Sequence, residues 1–139
     1  MWNDYRVWAV LSALFAGATA VLAKKGVEGV PSNLALFLRV CVVIVFAGAI
    51  VVATRQTNIA SVSRQTWIYL TLSGIGTGSS WLCYFRALQT GPVSKVAPID
   101  KLSFVIAVLL GIAFLKESPS WKTILGAGVI VVGVIITLL

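Results

Sequence analysis

Five apolar stretches, each long enough to cross a bilayer, occupy almost all of the 139 residues of this chain. A transmembrane helix needs about 20 mainly apolar residues. The stretches cover approximately residues 5–23, 33–54, 67–88, 93–115 and 121–139. The polar segments between them are too short to form a separate soluble domain. We therefore predict an all-α integral membrane protein, in which residues 1–139 form one domain of five transmembrane helices.

The composition narrows the possible functions. Charged residues make up 11% of the chain, whereas an ordinary soluble domain has roughly 25%. The chain contains no histidine, which excludes a histidine-centred catalytic triad or metal site. We expect no enzyme activity, no cofactor and no metal. The net charge of +7 does not form a basic patch interleaved with aromatic residues, so nucleic-acid binding is not expected. Lysine and arginine also collect where a membrane protein meets lipid headgroups.

Several ionisable side chains lie inside or near the predicted spans, where a charge costs about 2.5–3.5 kcal/mol on insertion scales. They are Arg39, Arg86, Lys95, Asp100 and Lys101. Arg39 lies six residues past Asn33, near the start of the second span. Its long side chain could extend to the interface, or it could face a water-filled cavity.

Asp100 and Lys101 are harder to place at a membrane surface. The apolar run that follows them, Leu102 to Leu115, has 14 residues, or about 21 Å of helix against a hydrocarbon core of about 30 Å. Both charges therefore lie below the headgroups, unless the helix is short and re-entrant. Adjacent residues do not face each other on a helix, so we do not expect a mutual ion pair. Arg39 is a candidate partner for Asp100, and a purely structural pair is the alternative.

Pro98 lies in the same region and removes the backbone donor that would bond to the carbonyl of Ser94. This predicts a kink. Kinked helices often line transporter substrate sites, because freed backbone polar groups need a partner there. Residues 91–101 are thus a candidate cavity wall, and a purely structural kink is the alternative.

The third predicted span has an interior tryptophan, Trp81, whose indole N–H needs a partner. It could face a cavity or be packed in the ordinary way, and Tyr84 is a further candidate for the cavity wall. Gly74 and Gly78 form a GxxxG pattern on the same span. This pattern allows close helix approach, either inside one chain or against a second chain.

Two segments carry a family resemblance. Tyr84 to Pro98 contains an aromatic residue, Ala-Leu, a short polar glycine turn, a helix start rich in small residues, and proline. Gly111 to Ser120 contains a Leu-x-Glu turn before the last helix. Their order and spacing resemble the signature of the EamA family in the drug/metabolite transporter superfamily. The resemblance covers nearly the whole chain, as one five-helix repeat. The chain departs from the usual pattern at Asp100 and Lys101, where an uncharged pair is commoner.

The resemblance implies a multi-pass transporter of the bacterial or archaeal inner membrane. Typical members carry two inverted repeats, ten helices in all, around a central cavity. This chain has one repeat, so we expect a homodimer with alternating access. Its cationic excess suits a small polar, anionic or zwitterionic metabolite. The cavity candidates are Arg39, Trp81, Tyr84, Lys95, Pro98, Asp100 and Lys101, and Arg86 is a candidate for a gate or an interface. The alternative is a half-transporter subunit that needs a different partner chain.

The orientation signal is weak. The N-terminal side of five spans would carry five lysine and arginine residues, namely Arg6, Arg55, Arg64, Lys116 and Lys122. The other side would carry Lys24, Lys25 and Arg86, and also five if Lys95 and Lys101 are counted there. Orientation follows this bias, so insertion in both orientations is a real possibility, and an antiparallel homodimer could form. The alternatives are a parallel dimer and a single orientation with the N-terminus in the cytoplasm.

Overall fold

A computed structural model describes residues 4–139, and this part of the chain is helical without β-strands. The helices are α1 (Tyr5–Gly26), α2 (Ser32–Ala53), α3 (Arg64–Thr90), α4 (Val93–Asp100), α5 (Leu102–Leu115) and α6 (Trp121–Leu138). A short 3-10 helix, Ile59–Ser61, lies between α2 and α3. The predicted all-α class is confirmed.

Four helical segments are long and apolar enough to cross a membrane. They are Tyr5–Gly26, Ser32–Ala53, Val93–Leu115 and Trp121–Leu138. Most of their large apolar side chains are exposed on the chain by itself, as expected for surfaces that meet lipid or another helix. The chain is therefore a multi-pass membrane protein.

Helix α3 differs from those four segments in composition. Its 27 residues span about 40 Å at 1.5 Å per residue, which is long enough to cross a bilayer. However, residues 73–80 are all glycine, serine or threonine except Ile75. These small and hydroxyl-bearing residues lower its hydropathy, so composition alone does not single out α3 as a span.

The fourth predicted span, residues 93–115, has the same bounds as the apolar segment Val93–Leu115, and the structure divides this segment into α4 and α5 at Lys101. The N–H of Lys101 donates to the carbonyl of Pro98 at 3.0 Å, and the N–H of Phe104 donates to the carbonyl of Lys101 at 3.1 Å. These three-residue bonds tighten the chain just after Pro98, which has no N–H to donate. The sequence predicts a kink at Pro98, and the structure has the break three residues later, at Lys101.

The described chain forms two compact units. The first contains α1 as far as Val21 together with Thr90–Leu139, and α6 packs there against α4 and α5. Two small residues, Gly111 and Ala127, are buried in this unit. The second unit is Leu22–Gln89. Its buried residues fall at the end of α1, the start of α2 and the end of α3: Ala23, Val27, Ser32, Ala35, Leu36, Phe85 and Leu88.

Serine hydroxyls define where two of the helices begin. The Oγ of Ser120 accepts a hydrogen bond from the N–H of Thr123 at 3.3 Å, at the start of α6. The Oγ of Ser63 accepts one from the N–H of Thr66 at 3.1 Å, at the start of α3. Each bond satisfies a backbone donor of the first helical turn that has no partner within the helix.

Replacement of Ser63 or Ser120 by alanine is expected to lower the free energy of unfolding by about 1 kcal/mol, because the cap is lost. The measurement is unfolding in detergent followed by circular dichroism. Ser120→Asp should retain stability, since aspartate is an equally good cap. Ser103→Ala, at an exposed position inside α5, is the matched control. A loss of stability in Ser103→Ala equal to that in Ser120→Ala would contradict the capping explanation.

Candidate functional site

The side chain of Arg39 meets two aromatic rings of α3. Its guanidinium carbon lies over the Trp81 ring, 4.7 Å from the ring centre, and 5.4 Å from the centre of the Phe85 ring. Trp81 and Phe85 are four residues apart and thus share one face of the helix. Arg39 and Trp81 are half-buried, and Phe85 is buried. The structure therefore brings together two of the predicted cavity residues.

Phe85 was not predicted as a site residue. The signal was present in the sequence, because aromatic residues at positions 81 and 85 have the spacing that places two rings side by side on a helix. A positive charge over aromatic faces contributes about 0.5–2 kcal/mol, with the larger values in desolvated places. Arg39 belongs to neither of the two ion pairs found among the described residues.

Asp100 and Lys101 form one of those ion pairs, with 3.4 Å between Lys101 Nζ and Asp100 Oδ2. The prediction that these neighbours would not pair is wrong. Asp100 is the last residue of α4, and Lys101 lies in the interruption after it with a ψ of −11°. The backbone of Lys101 is still in the right-handed helical region, so the pair forms because the long, flexible and largely exposed lysine side chain folds back toward the carboxylate. The predicted pairing of Asp100 with Arg39 stays a prediction.

Three of the predicted residues, within and just after α4, lie along one side of this segment. Lys95, Pro98 and Lys101 are spaced three residues apart, and such positions are neighbours on a helix surface. Lys95 and Lys101 are exposed, and Pro98 is half-buried. This side of the helix therefore carries two cations beside the interruption.

A third cluster joins the α1–α2 connection to the end of α3. Lys24 Nζ donates to the carbonyl of Leu88 at 2.6 Å. The side-chain amide of Gln89 donates to the carbonyl of Val30 at 2.8 Å. The carbonyl of Leu88 belongs to the last turn of α3, where carbonyls lack helical partners and a cation is favoured.

The predicted gate residue, Arg86, is part of the same cluster. Its Nη1 donates to the Oε1 of Gln89 at 3.1 Å. Because Gln89 donates in turn to Val30, Arg86 helps to orient the side chain that holds the α1–α2 connection. Tyr84, another predicted cavity residue, is half-buried on α3.

A cleft of about 380 Å³ opens beside this cluster. It is lined by Lys24, Val27, Glu28, Gly29, Val30, Pro31 and Gln89. None of the predicted cavity residues lines it. The sequence contains no sign of this role for Lys24. The pair Lys24-Lys25 follows the first predicted span, and a lysine is expected at the end of a helix whether or not it holds another segment in place.

The comparison with protein families agrees with the membrane-spanning architecture. The model of the EamA-like transporter family matches residues 5–139. The chain belongs to the EamA-like transporter family. The resemblance seen in the sequence is thereby confirmed, including its place in the drug/metabolite transporter superfamily.

Three relatives of this EamA-family chain have descriptions that name a transporter or a flippase subunit. A Sinorhizobium protein described as an uncharacterized transporter in the cobO 3′ region is 43% identical over 137 residues, which are 98% of this chain and 97% of the relative. Two others are described as probable 4-amino-4-deoxy-L-arabinose-phosphoundecaprenol flippase subunit ArnE. The Hamiltonella defensa protein is 33% identical over 73 residues, 52% of this chain and 66% of its own. The Klebsiella pneumoniae protein is 33% identical over 84 residues, 60% of this chain and 75% of its own. No solved structure matches the chain significantly.

The bond from Lys24 to Leu88 gives a test of the α1–α2 connection in this EamA-family chain. Lys24→Met is expected to lower the free energy of unfolding by about 1–3 kcal/mol, because it removes a charged donor from a part-buried carbonyl. The control is Lys25→Met, which breaks only the exposed pair with Glu28 at 3.2 Å and should cost less than about 1 kcal/mol. Thermal unfolding in detergent measures both variants. Equal losses would mean that the Leu88 contact adds nothing specific.

Proposed function

We propose that this EamA-family protein moves a small polar, anionic or zwitterionic metabolite across the inner membrane, as a homodimer with alternating access. The observation that carries the proposal is the position of Arg39. It lies seven residues into α2, about 10 Å from the helix start at 1.5 Å per residue. Among the described residues no carboxylate pairs with it. A cation at that depth is costly unless it faces a water-filled pathway.

The remaining charged candidates also favour a substrate that carries a negative charge. Lys95 and Lys101 lie three residues before and after Pro98, and Asp100 is the acid among them. In this proposal they line the pathway with Arg39, Trp81 and Tyr84, and Arg86 acts at a gate or an interface. A pathway with more cations than acids favours solutes that carry a negative group.

The proposal includes five transmembrane helices. Four of them are apolar enough to be identified as spans by composition, and the fifth is α3. The hydroxyl of Thr77 donates to the carbonyl of Ser73 at 2.9 Å, and that of Ser79 donates to the carbonyl of Ile75 at 2.9 Å. These hydroxyls are satisfied inside their own helix. Their presence therefore adds little to the cost of placing α3 in a membrane, and the chain forms one half-transporter repeat.

A second copy of the chain would supply the other repeat. A side chain built at Gly74 or Gly78 would meet no neighbouring atom of the described chain within 4 Å. The GxxxG face of α3 is thus open, and such faces favour close packing of helices in lipid. The small difference in lysine and arginine between the two sides is compatible with an antiparallel pair, which would form the inverted repeats that transporters commonly use.

A second candidate function is that of a subunit that works only with a different chain. The observation in its favour is the similarity to two relatives whose descriptions name a flippase subunit, matched over 52% and 60% of this chain. Under this function the purified protein alone would give no flux.

The test is solute uptake by proteoliposomes that contain only this protein. A panel of labelled amino acids, hydroxy acids and sugar phosphates would identify a transported solute. Arg39→Ala and Asp100→Asn are each expected to lower uptake about tenfold or more, because hydrogen bonds to charged groups contribute about 1.5–3 kcal/mol and about 1.4 kcal/mol is a factor of ten. Arg64→Gln, at the start of α3, is the charge-matched control. Wild-type uptake in both variants would contradict the charged pathway, and no uptake by the wild type would favour the subunit function.

The antiparallel arrangement has its own test. Single cysteines at Asn3 and Thr57, in a chain without Cys41 and Cys83, should both be labelled from outside intact cells by an impermeant reagent. About half of the molecules should react if both orientations are equally populated, as a small lysine and arginine bias allows. Labelling of all molecules, or of none, would exclude the antiparallel pair and favour a parallel dimer or a different partner chain.

A further inference from the structure

The rings of Trp81 and Phe85 hold the guanidinium of Arg39 in a defined place. An arginine side chain has many accessible rotamers, and fixing them normally costs conformational entropy at the moment of binding. Here the guanidinium carbon already lies 4.7 Å and 5.4 Å from two ring centres. Part of that entropy is therefore lost before any ligand arrives, and the group is pre-organised.

The ring contacts leave the N–H donors of Arg39 available. A cation interacts with the face of an aromatic ring through its charge, whereas the five N–H groups of a guanidinium point outward in its own plane. No hydrogen bond among the described residues uses an N–H of the Arg39 side chain. Since Arg39 is half-buried, these donors require an acceptor from water or from a ligand.

The chain offers few acids that could fill this role. In the unit Leu22–Gln89 the sole acidic residue is Glu28, and its carboxylate lies 3.2 Å from Lys25 Nζ. In the other unit, Asp100 lies 3.4 Å from Lys101. Glu28 and Asp100 thus have a cationic partner, and neither of the other two acids, Asp4 and Glu117, forms an ion pair with Arg39 in the described part of the chain. A ligand can therefore supply the negative group that Arg39 lacks.

We propose that Arg39 with Trp81 and Phe85 forms a seat for an oxyanion, a carboxylate or a phosphate that presents two oxygen atoms to the guanidinium. The planar guanidinium matches two such oxygens with two parallel hydrogen bonds. This inference rests on the proposed function, because it takes Arg39 to face the solute pathway, and it names the chemical group that the solute presents. The same group occurs in lipid phosphate and in soluble metabolites.

The test is a binding measurement on the full chain, purified in a nonionic detergent. Inorganic phosphate or acetate is added at constant ionic strength, with chloride as the reference anion that cannot bond through two oxygens. The expected result is a saturable change in tryptophan fluorescence together with a higher thermal midpoint. Trp81→Phe should keep the rise in thermal midpoint and lose most of the fluorescence change.

Variants of Arg39 decide whether the guanidinium is responsible. Arg39→Gln should abolish the response, and Arg39→Lys should weaken the apparent affinity about tenfold, because a lysine keeps the charge but lacks the two-donor geometry. Arg64→Gln is the matched control and should bind as the wild type does. If Arg39→Gln does not fold, two measurements still show whether the guanidinium binds the oxyanion. They are the affinity of Arg39→Lys and the comparison of phosphate with chloride on the wild type.

A further titration identifies the source of the oxyanion. Phosphatidylglycerol is added to the same micelles in place of the soluble anions. A response to the soluble anions alone identifies a solute, whereas a response to phosphatidylglycerol alone identifies a lipid headgroup. Either of these two results supports the seat. Equal responses of the wild type and Arg39→Lys, or no response to any of the three, would overturn it. Loss of uptake in Arg39→Ala without oxyanion binding would refute the seat and leave the transport function standing.

Discussion

Every polar group in the hydrocarbon core of a membrane has to find its partner within the protein, in enclosed water or in a ligand, because lipid tails offer none. This constraint explains most of the described structure. Backbone groups are satisfied within helices, serine hydroxyls cap two helix starts, and Lys24 meets a carbonyl at the end of α3. Arg39 is a charged group inside a span that has no carboxylate partner among the described residues, and the proposed function depends on it.

The helical class, the family and four of the spanning segments were predictable from the sequence. A run of about 20 mainly apolar residues is typical of a membrane-spanning helix, and the order of the short motifs indicated the family. The proline interruption was also predictable, since a missing N–H at Pro98 acts locally. Local rules, however, did not give the ion pair of Asp100 and Lys101. The rule that adjacent side chains do not face each other describes where they leave the helix, and the long lysine side chain reaches back past this separation to the carboxylate of Asp100.

The candidate site was only partly predictable. Arg39 and Trp81 were both identified as residues that need an explanation inside a span, but their contact joins two helices, and spacing along one chain does not encode such a pairing. The bonds of Lys24 and Gln89 were missed for the same reason, because each links segments about 60 residues apart. The family match over residues 5–139 identifies a transporter, and the substrate depends on contacts of this kind.

The run of glycine, serine and threonine in α3 has a mechanical consequence. The carbonyls of Ser73 and Ile75 accept bonds from the hydroxyls of Thr77 and Ser79 in addition to serving the backbone ladder, and such shared carbonyls weaken and often bend a helix. Gly74, Gly76 and Gly78 add backbone freedom in the same two turns. The middle of α3 is therefore more compliant than the leucine- and valine-rich helices, so bending of the chain would be concentrated between Ser73 and Ser80 while the aromatic face at Trp81 moves as a rigid piece.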